Sequence, residues 1–301
     1  MTFNRNANIS GNRVSRGGGR AGMAVGGVSG VGLLVYLALA LFTGDPTPLI
    51  DAGLTSIQQG QHAPAGETTS LEHCLTGADA NEYVDCRMQA TAYSLDAYWS
   101  QTLPAQAAVE YTEPGMVLYT GSVNTACGPA TSAVGPFYCP ADQSVYIDTS
   151  FFKELTSQYG ADGGPLAELY VVAHEFGHHI QNELGTMKKQ YTSDKGTASG
   201  SVRLELQADC YAGMWVQGAS KAYDQNGVAY LKEPTQAEIS SALSAAAAVG
   251  DDHIQETFQG QVTPHTWTHG SSEQRQRWFT IGMMQGSLSA CDTFAVAADD
   301  L

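Results

Sequence analysis

Basic residues are scarce in this chain: 14 lysines and arginines stand against 30 aspartates and glutamates, a formal charge of -16 over 301 residues. The shortage is sharper than the total suggests, because Arg5, Arg13, Arg16 and Arg20 all precede the first acid, Asp45. After residue 44 ten basic residues face thirty acids, a balance of -20. A surface of that sign repels nucleic acid and anionic lipid headgroups, which excludes a DNA- or RNA-binding role. Internal repeats are lacking too, and a hydrophobic share of 43% suits a globular protein with one large core or two modest ones. No C-x-x-C occurs, which argues against a metal site built from thiolates.

Charge is missing altogether from Ala21 to Gly44, and the middle of that stretch reads Gly32-Leu33-Leu34-Val35-Tyr36-Leu37-Ala38-Leu39-Ala40-Leu41-Phe42. About 20 apolar residues suffice to cross a bilayer as a helix, so residues 21–43 are expected to be a single transmembrane helix in contact with lipid. Residues 1–20, rich in glycine and arginine and free of acids, predict a disordered tail. Arginines before the apolar run and acids after it place that tail in the cytoplasm and the bulk of the chain outside. A cleaved signal peptide is the alternative, but the run is long and no clear small-x-small site precedes Asp45. Residues 44–70 read as a linker, with His62 a solvated part of it, and residues 71–301 as the one folded domain.

The six cysteines all lie beyond the apolar run: Cys74, Cys86, Cys127, Cys139, Cys210 and Cys291. An even number in an exported domain suggests disulfides, and six allow about fifteen pairings, so connectivity stays open. Cys74/Cys86 and Cys127/Cys139 share one spacing, which favours two local pairs and leaves Cys210 for Cys291.

Val84 to Leu103 carries apolar residues at helical intervals, with Pro104 expected to end the helix. Met116–Thr120 and Ser144–Asp148 are short β-rich runs between glycine- and proline-rich turns, predicting a small sheet against the later helices. The fold class expected is therefore α+β. Gly163-Gly164-Pro165 opens a central helix whose buried stripe is Leu169, Ala173, Phe176, Ile180 and Leu184, and Gly185 ends it.

Off that stripe stands one H-E-x-x-H: His174, Glu175 and His178. Residues four apart on a helix share a face, so both imidazoles can reach one metal ion. Glu175 can then take a proton from a water on that metal. Zinc needs a third protein ligand with the fourth position left for water. Val202 to Trp215 forms a second apolar helix, and beside its stripe of Leu204, Ala208, Tyr211 and Trp215 stand Glu205 and Asp209. Glu205 completes a His2Glu set for Zn2+, and Asp209, one turn on, can accept the free ring N–H of a ligating histidine.

His174-Glu175-Phe176-Gly177-His178-His179-Ile180-Gln181 together with Leu204-Glu205-Leu206-Gln207-Ala208-Asp209-Cys210 resembles the neutral zinc metallopeptidases, a family of bacterial membrane-anchored proteins. Gly135-Pro136-Phe137-Tyr138-Cys139-Pro140, Gly250-Asp251-Asp252 and Thr268-His269-Gly270-Ser271-Ser272-Glu273-Gln274-Arg275 are similar to segments of the same family, and the resemblance covers nearly the whole chain. It implies a zincin-like fold with a small β-sheet, a helical active-site core and a glutamate as third ligand.

Thr235-Gln236-Ala237-Glu238 and Ser271 with Gln274 are capping boxes for two further helices. Asp251 and Asp252 bind a cation or cap a turn, with the structural role favoured, and His253 has no clear role. The H-x-x-x-x-x-R spacing of His269 and Arg275 is similar to a segment of membrane zinc peptidases of the CAAX-processing type, in which a histidine steadies the oxyanion. By that resemblance His269 is a catalytic candidate, since a nearby N–H donor would lower the barrier to amide hydrolysis. His179 and His265 read as structural. The expectation is a zinc-dependent hydrolase of peptide or protein substrates on the outer side of the cytoplasmic membrane. Its rivals are a non-catalytic zinc scaffold that binds a partner, and hydrolysis of a non-peptide amide.

Overall fold

A computed structural model of the chain describes residues 1–17, 71–190 and 194–301. The architecture is mixed α and β, as the helical and alternating patterns predict. Strand β2 (Gly115–Tyr119) lies between β1 (Ser15–Arg16) and β6 (Ser144–Asp148) and is parallel to both. Strand β5 (Phe137–Cys139) runs antiparallel to β6 and forms an edge of this sheet, while β3 (Ser122–Thr125) and β4 (Gly128–Thr131) make a separate hairpin. The helices, in chain order, are α1 (Gly77–Glu82), α2 (Val84–Ala107), α3 (Phe151–Ser157), α4 (Pro165–Glu183) and α5 (Thr186–Gln190). They continue with α6 (Gly200–Gly218), α7 (Gln236–Ala248), α8 (Asp251–Gln259) and α9 (Ser272–Gln285).

Helix α2 runs one turn past Pro104, contrary to the expected stop, and ends at Ala108 in the left-handed region at φ 54. Proline in a last turn forfeits a single backbone bond, and the core contacts of Trp99 and Leu103 carry the helix through it.

Helix α4 begins as its sequence dictates. Gly164 is the N-cap at φ 103, and Pro165 sits in the first turn, where its missing N–H would have had no partner. The apolar stripe is buried apart from the half-buried Leu184, but so are all residues from Leu166 to Gln181 except Glu168. The helix is thus central to the core rather than half-solvated. Helix α6 packs along it, started by Ser199, whose hydroxyl accepts the Val202 N–H at 3.3 Å. Helix α9 packs in turn on α6, so closely that a Cβ on Gly282 would collide with the Cys210 backbone. Disulfides Cys74–Cys86, Cys127–Cys139 and Cys210–Cys291 fasten α2, β5 and α6 to their neighbours in sequence or space.

The expected disordered tail is not what residues 1–17 form. Met1, Phe3, Ala7, Ile9 and Val14 are buried in the main core. The Met1 amine meets Glu238 at 2.9 Å, the Asn8 N–H donates to Asp224 at 2.7 Å, and the Ile9 N–H donates to the Leu75 carbonyl at 3.1 Å. Arg13 pairs with Asp96 and Arg16 with Asp85. Composition alone misleads here because the apolar residues are dispersed among polar ones. They dock into a groove whose acids complement the tail's own arginines. The transmembrane helix expected at 21–43 and the linker at 44–70 lie outside the described residues. Among the described residues no helix is long and apolar enough to cross a membrane.

Candidate metal centre and catalytic cleft

Helices α4 and α6 bring His174, His178 and Glu205 together, with one potential ligand atom from each lying within 4.8 Å of the others. His174 Nε2 is 3.1 Å from one carboxylate oxygen of Glu205, and His178 Nε2 is 3.5 Å from the other. Bonds of about 2.0–2.1 Å at tetrahedral angles place ligand atoms roughly 3.3–3.4 Å apart, so this donor set fits a zinc ion. All three residues are buried.

The outer ring nitrogens are tied down. Asp209 Oδ1 lies 2.7 Å from His174 Nδ1, and Gln181 Oε1 lies 3.0 Å from His178 Nδ1. The Gln181 amide donates to the Leu204 carbonyl at 2.6 Å, which orients its oxygen towards the histidine. Both rings therefore keep a proton on Nδ1 and turn Nε2 inwards, the arrangement that raises ligand basicity in metal sites. Asp209 is wholly buried and accepts further bonds from the Tyr170 hydroxyl at 2.6 Å and from Arg275 at 2.9 and 3.0 Å.

These pairings set the protonation of the site. Burial penalises a charged His174, but Asp209 and Glu205 outweigh it and push the ring up to about 10. A proton must then leave His174 at neutral pH before Nε2 can bind a metal. Burial would raise Glu205, and the two histidines beside it instead hold its carboxyl well below the usual range. Asp209 is likewise held low, its burial overcome chiefly by Arg275. Glu175 goes the other way: burial is the largest influence, and it lifts the carboxyl above its ordinary value.

Glu175 and His269 line the same cleft as the three candidate ligands. Its other walls are largely apolar, with Phe137 and Tyr138 from the sheet edge, Phe151, Tyr159 and Val171, and Ile254 from α8. Asp251 and Arg275 also line it, whereas His179, His253 and Asp252 do not. His179 is buried between Tyr138 and the Thr112 carbonyl, at 3.1 and 2.6 Å, and His253 contacts the Tyr159 carbonyl at 2.8 Å. A second cluster, His73, Cys74, Asp85 and Cys86, has both sulfurs in a disulfide and so offers no thiolate. Asp252 accepts from the Ser272 N–H and hydroxyl at 2.7 and 2.8 Å, a capping role.

The contacts of three residues of the site escape a reading of the sequence, although two of them, Gln181 and Arg275, stand in the motifs it singles out. Gln181 had a usable signal, since it lies three residues after His178 and so on the same helix face. Tyr170 sits four residues before His174 with the look of an ordinary core aromatic. Arg275 arrives from α9, 66 residues beyond the Asp209 it pairs with, and nothing local marks it as the partner.

The model of the family described as "putative neutral zinc metallopeptidase" matches residues 2–294, so it takes in the docked tail as well as the domain. An uncharacterized protein of Mycobacterium tuberculosis is 53% identical over 228 residues, 75% of this chain and 76% of the relative. The uncharacterized protein YpfJ of Escherichia coli K12 is 36% identical over 271 residues, 88% of each chain. No solved structure matches the chain. With a family match over nearly its whole length and the His-His-Glu cluster at its centre, the chain belongs to the neutral zinc metallopeptidase family.

Proposed function

We propose that the protein hydrolyses peptide bonds, with zinc held by His174, His178 and Glu205 and with Glu175 as the base, on a zincin-like arrangement of helices and sheet edge. The observation that carries this reading is the spacing of the three ligand atoms beside a buried glutamate in an open-walled cleft. Zinc supplies Lewis acidity towards the scissile carbonyl and lowers the pKa of water. Glu175 takes the proton of the attacking water and delivers it to the leaving amine, a task helped by a carboxyl whose affinity for protons burial has raised. His269, which lines the same cleft, would offer an N–H to the negative charge that grows on the carbonyl oxygen. A purely structural zinc fills all four positions with protein ligands, whereas this cluster comprises three among the described residues, which favours a catalytic ion.

The walls favour a class of substrate. Phe137 and Tyr138 belong to edge strand β5, so an extended peptide can add to its free side as a further strand. Aromatic and aliphatic walls then favour large apolar side chains beside the scissile bond. Three disulfides support a location outside the cytoplasm, where thiols are oxidised. The lipid contact expected of residues 21–43 rests on their sequence. The reading is tested by metal analysis and turnover together. Glu175→Gln is expected to keep its zinc and lose hydrolysis, whereas Glu205→Ala is expected to lose zinc. Hydrolysis surviving in Glu175→Gln would refute the assignment.

A further inference from the structure

Asp251, the first residue of α8, is 5% exposed and lines the cleft beside His269 without belonging to the cluster of metal-ligand candidates. One of its carboxylate oxygens accepts three consecutive backbone N–H groups, those of Thr268, His269 and Gly270, at 2.8, 2.6 and 3.0 Å. Its own N–H returns a bond to the Gly270 carbonyl at 2.8 Å. Gly270 takes φ 89 within this loop, a conformation that suits glycine. The loop is thus clasped to the start of α8 from both directions.

The second carboxylate oxygen does something a loop clasp does not need. It lies 3.3 Å from His269 Nδ1, which also lies 3.0 Å from the Thr268 hydroxyl oxygen. A carboxylate can only accept, so this nitrogen carries the proton and shares it between two acceptors. His269 Nε2 has no hydrogen-bond partner among the described residues, and the residue lines the cleft with His174, Glu175, His178 and Glu205.

We propose that Asp251 is the positioning residue for His269, fixing its ring through Nδ1 and using its negative charge to keep Nε2 an N–H donor towards the carbonyl oxygen in the cleft. This rests on the peptidase reading of the same cleft. The logic is one of tautomers. A neutral imidazole with its proton on Nδ1 would present a lone pair at Nε2, which repels an oxyanion. Only the imidazolium has N–H groups at both positions, and a carboxylate beside Nδ1 favours that form. Burial opposes the charge on His269, and Asp251 with the more distant Glu205 tips it the other way against Arg275. The clasp fixes the backbone of the same residue, so the ring needs no reorganisation as charge develops.

Asp251→Asn separates this role from the clasp. The asparagine carbonyl can still accept the three backbone N–H groups, but its NH2 would face Nδ1 and donate to it. His269 then becomes a neutral ring with its proton on Nε2, a weaker donor than the cation. Against a mixed peptide pool, the full-length zinc-loaded Asp251→Asn protein is expected to lose about tenfold or more in kcat, with KM and zinc content little changed. In a His269→Ala background the same substitution is expected to cost nothing further, because Asp251 acts through the ring. Side-chain 15N spectra of the zinc-loaded protein supply a readout independent of turnover. His269, identified by its loss in His269→Ala, should show its Nδ1 proton in the parent and lose it in Asp251→Asn. An unchanged ring spectrum, an unchanged kcat, or an equal loss of kcat without His269 would overturn the proposal. If the parent cleaves nothing, the peptidase reading falls, and the ring spectrum still decides whether Asp251 positions His269.

Discussion

Replacing Gly177 with alanine tests how closely the two ligand-bearing helices must approach. Gly177 sits between Glu175 and His178 on α4 and faces α6, where a Cβ would lie 2.9 Å from both the Cα and the carbonyl oxygen of Ala208, and 3.1 Å from its Cβ. Carbon atoms in contact prefer about 3.5–4.0 Å, so α6 would have to retreat by roughly 0.6–1 Å at the crossing. Backbone cannot swing aside as a long side chain can. Overpacking of this kind costs about 1–3 kcal/mol, against which alanine gains about 1 kcal/mol over glycine in a helix interior. The net expectation is a destabilisation of roughly 0–2 kcal/mol, where helix propensity alone would stabilise. The effect on the metal is the sharper one. Glu205 and Asp209 flank Ala208 in sequence on α6, and a retreat of that size exceeds the tolerance of about 0.2 Å on ligand distances. Zinc affinity is expected to fall about tenfold or more, as when outer supports of a site are disturbed. Chelator competition measures the affinity, and denaturant unfolding with chelator present measures the stability. A variant that gains about 1 kcal/mol and binds zinc as the parent does would refute the close-approach argument.

Three further outcomes are open to measurement. Because His174 is raised to about 10, it is protonated below that pH and must release the proton when it binds zinc; apparent affinity should therefore rise about tenfold per pH unit between pH 6.5 and 8.5. Calorimetry in buffers of different ionisation enthalpy should count about one proton released per zinc, and none released would contradict the His174–Asp209–Glu205 coupling. Arg275→Met leaves Asp209 buried without its cationic partner and is expected to cost about 3 kcal/mol in urea unfolding, with under about 1 kcal/mol contradicting the network. Phe3→Ala removes a side chain only 1% exposed in the docked tail and is expected to cost about 3 kcal/mol, whereas a tail detached from the domain would register no change.

The centre of the site was legible because helical periodicity turns a short spacing into a shared face. His174 and His178 are one turn apart on α4, and Glu205 and Asp209 one turn apart on α6, so each half could be read locally. Their meeting follows from two apolar helices that must bury against each other. Gly177 marks the crossing, although its spacing alone does not say what it touches. Arg275 and Asp251 belong to the site through tertiary placement alone. Asp251 read as a turn cap, which it is for Thr268–Gly270, but the ring of His269 behind those N–H groups becomes apparent only in three dimensions. The tail was misread for a related reason: its arginines and scattered apolar residues acquire partners only on a folded domain whose acids line the receiving groove.

The most direct test of the central claim is the digestion of a mixed peptide pool by the full-length zinc-loaded chain beside its Glu175→Gln counterpart, with products read by mass spectrometry. The account predicts new peptide termini from the parent alone, enriched in large apolar residues beside the cut, and equal zinc in both proteins. Full zinc in both and no products from either, or the same products from both, would contradict it.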